Sequence, residues 1–125
     1  MAIVKGPSTA TSADAGAAPT LVINANVLTG DLLILCVTVR DVTTDPTVDD
    51  DDSGTHNAWA KFPNRNADTN GAGSIWYKFA TSATASKTIT VTAPASYGSC
   101  SATVTPFRGV SLTRPFADTT AVSEA

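Results

Sequence analysis

Residues that carry catalytic or metal chemistry are scarce in this sequence. Its 125 residues include one histidine, His56, one glutamate, Glu124, and two cysteines, Cys36 and Cys100. No Cys-x-x-Cys pair or second histidine is present to build a zinc site, and no Gly-x-Ser-x-Gly turn marks a nucleophile among the serines. We therefore expect a protein that is not an enzyme and holds no organic cofactor.

Basic clusters and long apolar runs are also missing. The eight lysines and arginines are scattered singly, and the net charge is −3, which argues against a nucleic-acid partner. The longest apolar run, Leu32 to Val37, is far shorter than the roughly 20 residues of a membrane helix. The N-terminus lacks the basic and apolar regions of a secretion signal. We expect no membrane contact, and two buried free thiols rather than a disulfide.

Threonine, serine, alanine and valine are abundant, as is typical of β-strands. The run from Gly30 to Arg40 predicts a central strand that is apolar on both faces at its start and on one face at its end. Lys87 to Ala93 alternates, which places Ile89 and Val91 in the core. The pattern predicts an all-β protein, an antiparallel two-sheet β-sandwich. Its expected divisions are a polar N-terminal arm or edge strand (1–18), the sandwich domain (19–116) and a polar C-terminal tail (117–125).

Four further features complete the expected strand pattern. We expect Thr20 to Ile23 to form a strand that ends in a turn at Asn24 to Asn26. In the strand Ser74 to Ala80, we expect the alternating residues Ile75, Tyr77 and Phe79 to face the core, opposite Trp76 and Lys78. The last strand contains Cys100, Ala102 and Val104 on its core face. Pro106 is expected to interrupt its ladder.

The segment from Asp41 to Asn57 shows no periodicity and predicts a long loop. Asp49, Asp51 and Ser53 alternate before Gly54, as at the start of a calcium-binding loop, although Ala60 stands where the bidentate glutamate is expected. A calcium or other hard-cation site is one interpretation. A solvated acidic loop and a contact with a basic patch on a neighbouring protein are the alternatives.

Two tryptophans are candidates for sugar binding. Trp59 and Trp76 would each offer a flat ring on which a sugar can stack if the ring is exposed. Trp76 is the better candidate, because it is expected to face away from its three core-facing neighbours. The alternative is that these rings pack in the protein interior or in a subunit interface.

Several short segments occur in a recognisable order: Gly30-Asp31-Leu32-Leu33-Ile34-Leu35 with Arg40, then Trp59, Ile75-Trp76-Tyr77-Lys78, Thr88-Ile89-Thr90-Val91 and Phe107-Arg108-Gly109-Val110. This order resembles a β-sandwich domain that recurs in tailed-bacteriophage virion proteins and some bacterial surface proteins. The similarity covers residues 20–116. The acidic segment and the end of the chain soon after Pro115-Phe116 depart from the pattern. The resemblance implies a jelly-roll-like fold, a structural or adhesive role and no catalytic residues.

Two functions are expected from this resemblance. The first is a non-enzymatic virion protein, a capsid decoration or cement protein that assembles onto the head in the host cytoplasm. Its expected partners are the major capsid protein or other virion proteins, and a homo-oligomer, such as a trimer, would match the symmetry of a capsid lattice. The second is a carbohydrate-binding or adhesive module of a tail fibre or bacterial surface protein. Candidate partner-binding residues lie in the N-terminal arm: Ile3, Val4, Lys5, Ser8, Thr9 and Thr11.

Overall fold

A computed structural model describes residues 2–14, 20–42, 44–52, 59–62, 66–68, 71–94 and 97–113. These residues form ten strands and no helix that could cross a membrane. The strands are β1 (Val4–Lys5), β2 (Thr9–Asp14), β3 (Thr20–Val27), β4 (Leu32–Arg40), β5 (Thr47–Asp50), β6 (Ala60–Lys61), β7 (Asn66–Asp68), β8 (Gly71–Phe79), β9 (Thr84–Thr92) and β10 (Ser99–Arg108).

The long strands form antiparallel pairs, and each pair encloses the next one along the chain. β2 pairs with β10, β3 with β9 and β4 with β8, and successive pairs alternate between two sheets. The larger, seven-stranded sheet has the path β1-β10-β4-β8-β6, with β2 beside β10 and β7 beside β8, and the smaller has the order β3-β9-β5. Nested pairs that alternate between facing sheets are the jelly-roll arrangement. The expected all-β, jelly-roll-like sandwich is therefore confirmed.

The central strand is the one that the sequence predicts. β4 lies in the middle of the larger sheet, between β10 and β8. Its core face, Leu33, Leu35, Val37 and Val39, is buried, and on the outer face burial decreases from Leu32 to Arg40. β9 is also as expected, with Ile89 and Val91 in the core and its threonines facing outward. Two-residue periodicity was sufficient here, because the inward positions of both stretches are apolar.

Two segments that we expected to form a turn and a loop contain strand residues instead. The expected turn at Asn24 to Asn26 is wrong, because β3 continues to Val27 with both asparagines facing solvent. The expected loop from Asp41 to Asn57 is wrong in part, because Thr47–Asp50 forms β5 and pairs with β9. Asparagine and aspartate are uncommon in strands. They are nevertheless compatible with a strand where their side chains point outward or have partners in the interior.

The expected interruption at Pro106 is also wrong, because β10 continues through it to Arg108. The Pro106 carbonyl accepts a hydrogen bond of 2.8 Å from the Gly6 backbone N–H. In antiparallel strands the backbone N–H and C=O of one residue point to the same neighbouring strand. The backbone N–H that proline lacks would therefore point to the segment between β1 and β2. A Cβ on Gly6 would stand 2.8 Å from the Pro106 ring, so glycine permits this close approach.

The cysteines occupy opposite faces of the larger sheet. Both are free, as expected, and Cys100 is buried on the core face, where desolvation raises the pKa of its thiol. Cys36 is exposed on the outer face, so the expectation that it is buried is wrong. Because Cys100 pairs with Val39 and Cys36 with Thr103 in the ladder, the two thiols cannot meet in this fold.

Candidate functional site

Five charged residues meet at one end of the sandwich, four of them largely buried and Asp51 with 45% of its side chain exposed. We call them the interior charge cluster: Asp50, Asp51, Asp52, Lys78 and Lys87. Alternation in β5 turns Val48 and Asp50 inward, toward a lysine from each of two other strands. Lys78 comes from β8 in the larger sheet, whereas Lys87 comes from β9 in the smaller sheet. The ion pairs of the cluster therefore connect the two sheets.

The expected core face of β8 is the opposite of the observed one. Ala72, Ser74 and Lys78 are buried toward the interior, while Ile75 is exposed on the outer face and shares that face with Tyr77 and Phe79. Hydropathy favours the reverse orientation. The observed one is stable because acidic side chains from β5 and the residues just after it pair with the Lys78 ammonium inside the sandwich.

Lys78 is held between two carboxylates. Its Nζ lies 2.6 Å from Asp50 Oδ2 and 2.8 Å from Asp52 Oδ2. The Asp50 side chain is fully buried, and its Oδ2 also accepts a hydrogen bond of 3.0 Å from Trp59 Nε1. The Asp50 Oδ1 atom accepts a 2.9 Å bond from the Asp52 backbone N–H. The carboxylate of Asp50 therefore has identified donors at both oxygens.

Lys87 completes the cluster from the other sheet. Only 2% of its side chain is exposed, and its Nζ donates to Asp52 Oδ1 and lies 2.7 Å from Asp51 Oδ1. The Thr88 backbone N–H donates to the other Asp51 oxygen at 3.2 Å, and Thr81 Oγ1 donates to Asp52 at 3.1 Å. No buried side-chain N or O atom among the described residues lacks a partner. The polar interior is thus satisfied, as a buried network must be to be stable.

The cluster changes the pKa of its members in opposite directions. Burial alone would raise the pKa of the Asp52 carboxyl, but the hydrogen bonds and charges of both lysines outweigh it and lower the pKa to about 2. For Lys87, burial alone would lower the pKa, but bonds to Asp51 and Asp52 and the nearby charge of Asp50 raise it above 10.5. The hydrogen bond from Lys87 also lowers the pKa of Asp51. All three shifts favour the charged forms.

We expect acid to destabilise the fold through Asp52. Because its pKa is lowered on folding, its stabilising contribution is complete above the unfolded value of 3.8 and is lost as the pH falls through about 2. The urea midpoint should therefore fall steeply between these pH values. An Asp52→Asn variant should be less stable at pH 7 and show a shallower fall. Parallel pH profiles of the two proteins would contradict this assignment.

The candidate calcium ligands are engaged in contacts within the chain. Asp49 is exposed and accepts a hydrogen bond from the Asp50 backbone N–H, and Asp51 pairs with Lys87. Ser53 lies outside the described residues. Oxygens of Asp50, Asp51 and Asp52 do lie within 4.8 Å of one another, but two lysine ammonium groups supply positive charge there. The calcium or other hard-cation site therefore stays a prediction.

The tryptophans do not form open platforms. Trp59 is buried at 9% exposure, with its indole N–H directed at Asp50. Trp76 is half-buried on the inward side of β8, donates to Ser74 Oγ at 3.0 Å and has Lys61 Nζ 5.8 Å from its ring centroid. Both rings belong mainly to the interior, which is the alternative that the sequence left open.

The candidate residues of the N-terminal arm form the edge of the larger sheet. Ile3 and Val4 are 63% and 55% exposed, and β1 pairs Val4 with Arg108 and Lys5 with Phe107. Ser8 shares a hydrogen bond with Thr105 at 2.7 Å. Thr9 and Thr11 lie in β2, half-buried and paired with Val104 and Ala102. Ile3 and Val4 thus expose apolar surface, while Thr9 and Thr11 belong to the sandwich.

An apolar region also lies on the outer face of the larger sheet, which we call the outer patch: Ile34, Cys36, Ile75, Tyr77 and Phe79. The ladder places Ile34 opposite Tyr77 and Cys36 opposite Ile75. Phe62 packs on Tyr77 with the ring centroids 5.1 Å apart. The sequence pattern placed three of these side chains in the core, so the patch was not anticipated.

Comparisons with protein-family models, curated proteins and solved structures find no match to this chain.

Proposed function

We propose that this chain is a non-enzymatic structural protein of a tailed-phage virion, a capsid decoration protein that binds and stabilises the head. The jelly-roll sandwich supports the proposal as a rigid body that can be repeated over a lattice. The outer patch offers apolar surface for contacts with other macromolecules. Binding as a symmetric homo-oligomer, such as a trimer, would add several weak contacts through avidity.

The observation that carries the proposal is the exposed apolar pair at the start of the chain. Ile3 and Val4 extend from the edge of the larger sheet with more than half of their surface exposed. Exposed large apolar side chains at a sheet edge are typical of contact surfaces. Burying the 63% and 55% of these side chains that is exposed would contribute about 1–2 kcal/mol each, so this short segment is the proposed contact with the head.

Co-sedimentation with phage heads assembled without this chain tests the proposal. Wild-type protein should bind the heads and raise the temperature at which they release DNA. An Ile3→Asp, Val4→Asp variant should bind about a hundredfold more weakly. Val22→Asp is the matched control, because Val22 is 53% exposed on the smaller sheet and should bind normally. Deleting residues 1–18 is a poorer test, since it removes β2 from the fold.

Two results would refute the proposal. One is absence of wild-type binding to heads, with the protein found only in the tail fraction of virions. The other is equal head binding by the wild type and the Ile3→Asp, Val4→Asp variant, which would exclude the proposed contact.

A further inference from the structure

We propose that Lys78 and Asp50 form an intramolecular amide bond that joins the two sheets of the sandwich covalently. The Lys78 Nζ atom lies 2.6 Å from Asp50 Oδ2, and both side chains are buried, with 5% and none of their surface exposed. Lys78 belongs to the larger sheet and Asp50 to the smaller. This inference does not depend on the proposed function.

Direct contact between the two groups gives a route to their uncharged, reactive forms. An ammonium and a carboxylate in contact become an amine and a carboxylic acid when one proton moves along their hydrogen bond. The fold also holds the nucleophile against its target, so the reaction does not require a bimolecular encounter.

The surrounding groups can serve each stage of the reaction. The Asp52 backbone N–H donates to Asp50 Oδ1 at 2.9 Å and would stabilise negative charge that develops there. Trp59 Nε1 donates to Oδ2, the oxygen that would leave. Asp52 Oδ2 lies 2.8 Å from the same Nζ and can accept its proton, and Lys87 keeps that carboxylate ionised.

The step balances without an oxidant or a co-reactant. The Nζ lone pair attacks Asp50 Cγ to form the C–N bond, and the carbonyl electron pair moves to Oδ1. Asp52 takes one proton from the nitrogen. The C–O bond to Oδ2 then breaks as the Oδ1 electron pair returns, and the departing hydroxyl takes the proton from Asp52 and leaves as water. The product is a secondary amide, and Asp52 is a carboxylate again.

Intact-mass measurement of the denatured protein tests the proposal. The wild-type chain should be lighter than its sequence mass, corrected for any loss of Met1, by one water. Trypsin does not cut after an acylated lysine. Digestion should therefore leave residues 66–87 as one peptide, uncut after Lys78 and linked through Lys78 to the peptide of residues 41–61. A wild-type chain of full sequence mass would overturn the proposal. Loss of water located within a linear peptide would overturn it as well.

Three variants locate the reacting groups. Lys78→Arg keeps the charge but should have full mass, whereas Asp50→Asn should lose ammonia and reach the same mass as the wild-type product. Asp52→Asn should remain unreacted. Asp51→Asn is its matched control, because this neighbouring carboxylate contacts Lys87, and it should still lose one water. A cross-link in Lys78→Arg would refute the assignment of the bond, and efficient reaction in Asp52→Asn would refute the assigned proton acceptor.

Discussion

Replacing Lys87 by methionine is expected to lower the free energy of unfolding by about 3–5 kcal/mol. Methionine keeps most of the length and apolar stem of the side chain but removes its charge. The Asp52 carboxylate, which is largely buried, then loses one of its two lysine partners, and Asp51 loses its hydrogen bond from Nζ. The cost of an uncompensated buried charge exceeds any gain from burying a thioether. The effect should appear whether or not Lys78 and Asp50 are joined, because Lys87 contacts the other two aspartates.

Lys61→Met is the matched control for this experiment. Lys61 pairs with Asp45, but both side chains retain partial solvent exposure. Removing such a pair should cost no more than about 1 kcal/mol. Urea denaturation should show a much lower midpoint for Lys87→Met than for Lys61→Met, with similar slopes. Equal midpoints for the two variants would show that the interior charge cluster contributes little to stability.

The fold class was predictable because the apolar periodicity is regular where the core is apolar. Leu33, Leu35 and Val37 in β4, and Ile89 and Val91 in β9, occupy the inward positions and are buried. An alternation of this kind determines which face of a strand is buried before its neighbours are known. The nested order of strands was not available from periodicity, and the expectation of a jelly roll came from the resemblance.

The interior charge cluster could not be predicted by the same reasoning. A lysine at an inward position is assigned to solvent by any hydropathy pattern, unless its acidic partner is known. For Lys78 the partner Asp50 is 28 residues away, in a segment that has the composition of a loop. One signal was present: Lys87 has the same parity as Ile89 and Val91, so the alternation that placed those residues in the core also placed Lys87 there.

The error in β8 has the same origin. Its sequence offers two faces, one with Ile75, Tyr77 and Phe79 and one with Trp76 and Lys78. The first face is more apolar, but the second forms an ion pair across the sandwich and is the buried one. Long-range charge pairing therefore overrode local hydropathy, and the aromatic face became the outer patch.

Leu35→Ala is expected to cost about 2–5 kcal/mol of stability, the second large effect. Leu35 is fully buried at the centre of β4, where the ladder places Val104 on one side and Trp76 on the other. Truncation removes apolar area from the core and leaves a cavity. Neighbouring strands on both sides limit how far the sheet can collapse into it, so we expect the upper half of this range.

Leu112→Ala separates the effect of burial from that of the substitution. Leu112 is 65% exposed, so the same change of side chain there should alter stability by less than about 0.5 kcal/mol. Thermal and urea unfolding of both variants would measure the difference. A loss at Leu35 as small as that at Leu112 would mean that the two sheets do not pack against each other at this position, and the sandwich would then have to be abandoned as the description of this fold.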